Sequence, residues 1–336
     1  GNLVRRSLTA AAALLLAASL GLAGCSGDGK KSAKAAATPT SAATQQEKVD
    51  CSKLKIDTDS KALPTIGQPS SNKAPAITWV KGAKAPTNLT VKTIKAGSGA
   101  AVAADSNVAA NYSGWKWDSA TTFDSSFERG SATRFSLNGV IDGWRCGLLG
   151  HKVGDVLEIS IPGKLAYGDK PANPQAPAGT LVFYVELTDA LTSAQISAAS
   201  KDATPVEGAT EELEKNGITV TGKLGQAPSI TIKAGISAPT SAKLITLASG
   251  NGEKLTDTDT ALGYMAMATW DGNKRSSWTE SSPQPVQMSV SQIKQLVDLS
   301  GIPVGSRVVI ILPPQASSQG GQTTPASVYV FDIAAK

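Results

Sequence analysis

The sequence predicts an α+β fold in which strands dominate around one short helix, and it predicts that fold twice. Three observations carry this. Leu157, Ile159 and Ile161, and then Leu181, Phe183, Val185 and Leu187, place an apolar residue at every second position, the period of a strand with one face buried. The only convincing helical stretch of the first half, Ile141 to Leu149, is short. The chain also restarts: Pro86 and Pro239, and Trp117 and Trp270, stand the same 153 residues apart. A fixed period of domain size reads as duplication of one folded unit.

The elements follow in order. Arg5 and Arg6 precede an apolar run from Leu8 to Leu20 that is too short to span a bilayer, and small residues come next, so residues 1–24 read as a secretory leader. Leu22-Ala23-Gly24-Cys25 resembles the lipobox of bacterial lipoproteins, which implies lipidation of Cys25 and a place on the outer side of the bacterial cytoplasmic membrane; an ordinary cleaved leader is the other reading. Residues 25–48, rich in Ala, Thr, Ser, Lys and Gln, bury too little apolar surface to offset ordering and form a disordered tether. Residues 49–85 spread Ile56, Leu63, Ile66, Ile77, Trp79 and Val80 among prolines and glycines, as an extended N-terminal segment packed on the first domain would.

Net charge is +5, two of those charges lying in the leader, and the lysines are scattered without the basic, aromatic-interleaved stripe that tracks a phosphate backbone. Nucleic acid is therefore not an expected partner. Apart from Cys25 only Cys51 and Cys146 remain. In an oxidising compartment a disulfide between them is the expectation, and two free thiols the alternative. The one histidine, His151, falls in a turn and reads as an exposed loop residue. With so few cysteines and histidines neither a metal site nor a cofactor is expected.

The first domain covers residues 86–191. Leu89, Val91 and Thr93 alternate as in an edge strand before the turn Gly97-Ser98-Gly99. Val156 to Ile161 follows as a strand that Pro162 and Gly163 stop. Lys164 to Ala178, with Pro171, Pro174 and Pro177, is a loop, and Gly179 opens the strand that ends at Leu187.

Within this domain five ordered motifs stand out: Val108-Ala109-Ala110-Asn111-Tyr112-Ser113-Gly114, Phe123-Asp124-Ser125-Ser126, Val140-Ile141-Asp142-Gly143-Trp144, Ala166-Tyr167-Gly168 and Gly179 to Leu187. Together they resemble the pocket-lining motifs of FKBP-type peptidyl-prolyl cis-trans isomerases. The resemblance implies an antiparallel sheet wrapped around a short helix, with the pocket between them. It implies Trp144 as pocket floor, Tyr112, Phe123, Phe135 and Phe183 as aromatic walls, and Val140 and Ile141 as a rim whose Ile141 N–H holds the peptide. Asp124 and the Tyr167 hydroxyl would make the polar contacts. It also implies proline-containing polypeptides as substrates, with macrolide ligands as possible competitors.

Isomerisation needs no nucleophile. The barrier of about 18–20 kcal/mol comes from amide resonance. A pocket without water disfavours the planar, charge-separated amide, and donors that prefer the twisted form add differential binding of the transition state. Two departures from the family pattern bear on this: the loop after Tyr167 is one residue short, with Gln175 where many members carry isoleucine, and the turn after Ser113 is longer and carries Trp115 and Trp117. Those tryptophans extend the mouth or pack on the segment before Pro86.

Residues 192–235 read as a linker, helical in part, and residues 236–336 as a degenerate FKBP-like domain. Aligned by the repeat, Phe123-Asp124 falls at Ser276-Ser277, Phe135 at Met288, Ile141 at Lys294, Trp144 at Leu296 or Val297, and Tyr167 near Ser318. Its helix, near Ser289 to Leu299, reads as longer. The expected function is thus a membrane-anchored isomerase for exported proteins; the alternative is a non-catalytic peptide-binding chaperone or adhesion module at the cell surface.

Overall fold

The computed structural model describes residues 48–281, 283–316 and 323–336. The leader, Cys25, all of the tether before Lys48, and Ser318 lie outside them. The chain divides into two compact units, the boundary falling between Ser193 and Ala194.

The sheet of the first unit is built from β1 (Ile56–Asp57), β4 (Leu89–Lys95), β5 (Asn107–Lys116), β6 (Thr122–Ser125), β7 (Thr133–Ser136), β8 (Val156–Ile161) and β9 (Leu181–Leu191), a hairpin of β2 (Thr65–Ile66) and β3 (Ile77–Thr78) standing apart. Its order is β1-β4-β8-β9-β5-β6, with β7 also on β5. All pairings are antiparallel except that of β1 with β4. The expected edge strand is therefore second from the edge, because Ile56 and Asp57 pair with Leu89 and Thr90. The ten-residue β5 pairs with β9 on one side, and on the other carries β7 along its first half and β6 along its second. Leu157, Ile159, Ile161, Leu181, Phe183, Val185 and Leu187, alternating as expected, join one buried core with Trp144, Cys146 and Leu148 of helix α2 (Asp142–Leu148). Glycines allow the close approach: a Cβ on Gly143 would overlap Ile161, and one on Gly147 would lie 3.4 Å from Val91 Cγ2.

The segment before Pro86 is tied to this unit at several points. Cys51 and Cys146 form a disulfide. Asp59 pairs with Lys92 at 3.7 Å, and Trp79 donates to the Ser119 carbonyl at 2.7 Å while its ring meets the edge of Trp117 at 5.0 Å. Trp117 thus packs on the extension, and Trp115 lies inside β5, fully buried. His151 departs from the exposed reading: half-buried, its Nδ1 lies 2.9 Å from Asp155 Oδ2, and the same carboxylate accepts the Gly97 and Lys152 N–H groups, closing the loop.

The sheet face away from α2 carries Lys92, Glu158 and Tyr184 in one register row. Glu158 is 3% exposed and its Oε2 has no hydrogen-bond partner, and burial pushes its carboxyl up to about 7, the positive charge of Lys92 opposing this and the negative charge of Asp59 adding to it. Because the folded pKa lies above the unfolded one, the contribution to stability is complete below the unfolded pKa and disappears as pH rises through the folded one. Glu158→Gln is expected to be more stable than the parent at pH above about 7 by up to ~3 kcal/mol, the advantage fading on acidification. Urea titrations at several pH values check this, and equal stability of parent and variant in alkali would refute it.

The second unit has β10 (Thr204–Pro205), β13 (Lys243–Ser249), β14 (Thr260–Thr269), β15 (Lys274–Ser276), β16 (Val286–Ser289), β17 (Arg307–Leu312) and β20 (Ser327–Ala335) in the order β10-β13-β17-β20-β14-β15, with β16 on β14. Along the chain this is the same order as in the first sheet. The expected linker is largely folded. Helix α4 (Ala209–Lys215) and the hairpin β11 (Ile218–Thr221) and β12 (Ser229–Ile232) bury Leu213, Ile218 and Ile230 in one cluster with Ile245, Val309 and Val330. Few but well-spaced apolar residues suffice to cover that face. A helix before it, α3 (Ser193–Ser197), stands at the division between units, while β18 (Gln315–Ala316) and β19 (Thr323–Thr324) form a short ribbon.

The long helix expected at Ser289 to Leu299 is reduced to α5, Val290–Ile293. Val290, Ile293 and Val297 are β-branched, which weakens helix propensity. The Asp298 carboxylate accepts the Ser300 N–H at 2.9 Å, a local turn that competes with continued helix.

Candidate active site

The site grows from β5. Tyr112 and Gly114 lie on its α2-facing side, and the pairing of Gly114 with Phe183 brings the Phe183 ring to the same place. A Cβ at Gly114 would lie 2.6 Å from Phe123 Cζ and 2.7 Å from Phe183 Cε1, so the missing side chain is the space in which those rings meet edge to face, 5.6 Å apart. Phe135 enters from β7, and Val140 and Ile141 from the turn before α2. Trp144, in the first turn of α2, has its indole centroid 5.3 Å from Tyr112, 5.2 Å from Phe135 and 5.3 Å from Phe183. Edge-to-face contacts of this kind add about 0.5–1.5 kcal/mol each beyond area burial.

Trp144, Ile141, Tyr112 and Phe183 are fully buried, whereas Phe123 and Tyr167 are half-buried against the same core and form the open edge. The Trp144 Nε1–H has no hydrogen-bond partner, a rare condition for a buried donor. Tyr167 is presented by a turn in which Gly168, at φ 92, donates to the Gly163 carbonyl at 2.8 Å. Gln175 is exposed, its N–H on Asn173 Oδ1, and does not close the pocket.

The polar edge is a network. Asp124, 8% exposed, accepts the Tyr112 hydroxyl on Oδ2 and the Arg129 guanidinium on Oδ1. Arg129 also reaches Tyr112 Oη at 3.0 Å and Thr133 Oγ1 at 3.1 Å, and stands 5.7 Å from the Tyr112 ring centroid. Burial, and next the nearby Asp124 charge, raise the Tyr112 hydroxyl far above its ordinary value, and burial followed by the same charge raises Tyr167. Burial alone would lower the Arg129 pKa, but the hydrogen bonds to Asp124 and Tyr112 offset this and hold it above the usual value. Both tyrosines are hydrogen-bond donors throughout the neutral range. Arg129 is the residue that sequence reasoning missed. Its position is set by helix α1 (Ser126–Arg129), capped by the Ser125 hydroxyl and ended by Gly130 at φ 81, and that Ser-to-Gly frame five residues past Asp124 was the available signal.

All nine residues expected in the site come together: Tyr112, Phe123, Asp124, Phe135, Val140, Ile141, Trp144, Tyr167 and Phe183 belong to or border one cluster. Among the described residues no three His, Cys, Asp or Glu side chains gather as metal ligands would.

Residues 99–188 match the family model of the FKBP-type peptidyl-prolyl cis-trans isomerases. An FK506-binding protein of Streptomyces anulatus is 38% identical over 110 residues, which is 32% of this chain and 89% of that protein. The chain belongs to this family. The isomerase is also 41% identical over 110 residues to the FKBP-type peptidyl-prolyl cis-trans isomerase FkpA of Escherichia coli, covering 32% of this chain and 40% of FkpA. The crystal structure of FkpA aligns with 34% of this chain and 54% of that one at 39% identity and a TM-score of 0.30. The matched stretch contains every aromatic of the cage.

Proposed function

We propose that the first unit seats the proline of an exported polypeptide against Trp144 and lowers the barrier to X-Pro rotation by desolvating the amide. The observation that carries this is the Trp144-centred cage, in which the indole meets the rings of Tyr112, Phe135 and Phe183, edged by the Tyr112–Asp124–Arg129 network. Uncatalysed X-Pro exchange takes tens to hundreds of seconds, and excluding water favours the less polar twisted amide over the planar one. Tyr167 at the open edge would donate to the peptide, and the Ile141 N–H would hold its backbone. Asp124, already engaged, orients Tyr112 and Arg129 rather than contacting substrate directly. A macrolide of the kind that names the Streptomyces relative would compete for the same cage.

The leader-like residues and Cys25 support a lipid anchor on the outer side of the cytoplasmic membrane, each buried CH₂ contributing about 0.8 kcal/mol. The second unit is read as a degenerate copy of the first, without isomerase activity, on the strength of its identical strand order. On that reading the strand registers give residue equivalences different from those of the sequence repeat. Met267 pairs with Arg275 where Gly114 pairs with Asp124, so Lys274-Arg275, rather than Ser276-Ser277, stand in place of Phe123-Asp124. Met267 carries a side chain where Gly114 has none and is buried in the core of its unit, and α5 provides no counterpart to α2. A copy so filled has no cage.

The deciding experiment follows exchange of a short X-Pro peptide with the full chain and with Tyr167→Phe. The parent is expected to accelerate exchange, and loss of one hydroxyl donor to reduce kcat/KM by about three- to tenfold. No acceleration by the parent overturns the enzyme reading, and peptide binding without turnover would leave the recognition module.

A further inference from the structure

Helix α2 carries the floor of the pocket and follows directly on the rim residues Val140 and Ile141, yet it is only seven residues long and has no side-chain hydrogen bond capping its N-terminus. A helix of two turns does not hold itself in water; its position is set by what packs on it. One face rests on the sheet through Gly143 and Gly147. The opposite side is held by residues upstream of the family-matched stretch, which begins at residue 99. Arg145 lies between Trp144 and Cys146. Its Nη2 donates to the Val49 carbonyl at 2.6 Å and to Asp142 Oδ1 at 2.8 Å, and its Nη1 to Cys51 Sγ at 3.0 Å. Cys146 is covalently joined to Cys51, and Lys48 Nζ donates to the Asn138 carbonyl at 2.6 Å, just before the rim. Val49, Cys51 and Leu54 pack on the same core as the cage.

We propose that residues 48–54, with Arg145 as a positioning residue and the Cys51–Cys146 bond as a covalent tie, form a clamp that holds α2 in register with the cage. The clamp makes isomerisation sensitive to dithiol reductants. The inference rests on the cage being the isomerase site. A dithiol reducing the bond passes two electrons and two protons to Cys51 and Cys146, leaving two thiols, and is itself oxidised to a disulfide. Arg145 then holds the strap by hydrogen bonds alone. Displacing a floor residue by about an ångström reduces turnover by up to ~10²-fold, so release of the clamp is read in rate even where the unit stays folded.

The test uses the full chain, assayed on an X-Pro peptide well below the melting midpoint, with circular dichroism confirming the fold. Five samples are compared: parent, parent reduced by dithiothreitol, Arg145→Ala, Arg145→Ala reduced in the same way, and Arg145→Lys. Arg145→Ala and the reduced parent are each expected to lose about three- to tenfold in kcat/KM, with Arg145→Lys recovering part of it because one cation can still reach the Val49 carbonyl. Reduction of Arg145→Ala should add less than reduction of the parent, since both act through one helix. If Arg145→Ala does not fold, the reduced parent and Arg145→Lys carry the same comparison. Unchanged kcat/KM in folded, reduced parent and in folded Arg145 variants overturns the clamp, whereas an inactive oxidised parent overturns the isomerase reading beneath it.

Discussion

Trp144→Leu loses isomerisation by about ten- to a hundredfold in kcat/KM, equivalent to ~1.4–2.7 kcal/mol of transition-state stabilisation. The indole is the one ring in edge contact with Tyr112, Phe135 and Phe183 together, and it closes the bottom of the cage. Leucine keeps the site apolar but leaves a gap, into which water or a neighbouring ring moves, and desolvation of the amide weakens. The substitution also destabilises the first unit, by less than the ~3–5 kcal/mol typical of a tryptophan-to-alanine truncation in a core. Peptide exchange kinetics and urea unfolding of the same preparation separate the two effects. Full activity in a folded Trp144→Leu chain would remove Trp144 from the mechanism.

In the second unit the largest expected effect comes from Asp332→Ala. Arg307 is 1% exposed and Asp332 not at all, and their side chains meet in two hydrogen bonds, Nε to Oδ1 at 2.7 Å and Nη2 to Oδ2 at 2.9 Å. Ser200 donates to the same carboxylate at 2.6 Å, Arg307 donates to the Gln226 carbonyl at 2.6 Å, and its guanidinium stands 5.9 Å from the Trp278 ring centroid. Removing the carboxylate strands a buried cation, which destabilises by about 3–5 kcal/mol, whereas replacing both partners by apolar residues is close to neutral. Thermal unfolding of Asp332→Ala should therefore show a large downward shift, and the double variant Arg307→Met with Asp332→Leu should recover most of it. A single-variant loss below about 1 kcal/mol would show that water reaches the guanidinium. This pair was invisible in the sequence because Arg307 opens an apolar strand and Asp332 interrupts another 25 residues later. Only the antiparallel register of β17 and β20 puts them opposite each other.

The aromatic cage was legible because its members sit in short motifs in a familiar order, and strand alternation already placed Phe183 with Val185 and Leu187. Arg129 escaped because its partners, Asp124 and Tyr112, lie 5 and 17 residues away, a separation that acquires meaning only when β5 and β6 pair. The linker reading of 192–235 failed for a related reason. Leu213, Ile218 and Ile230 are sparse along the chain but converge once the hairpin folds over the sheet.

By itself the sequence determined the strand-dominated class, the placement of the short helix and the identity of the aromatic residues. These follow from local alternation, from glycine and proline punctuation, and from spacing that survives in one dimension. Tertiary structure decided which groups meet across long separations: Arg145 with Val49, Arg307 with Asp332, and the rings of Phe123 and Phe183 over Gly114. The physical reason is that packing and buried electrostatics depend on distances between segments, and those are set only when the sheet closes its register.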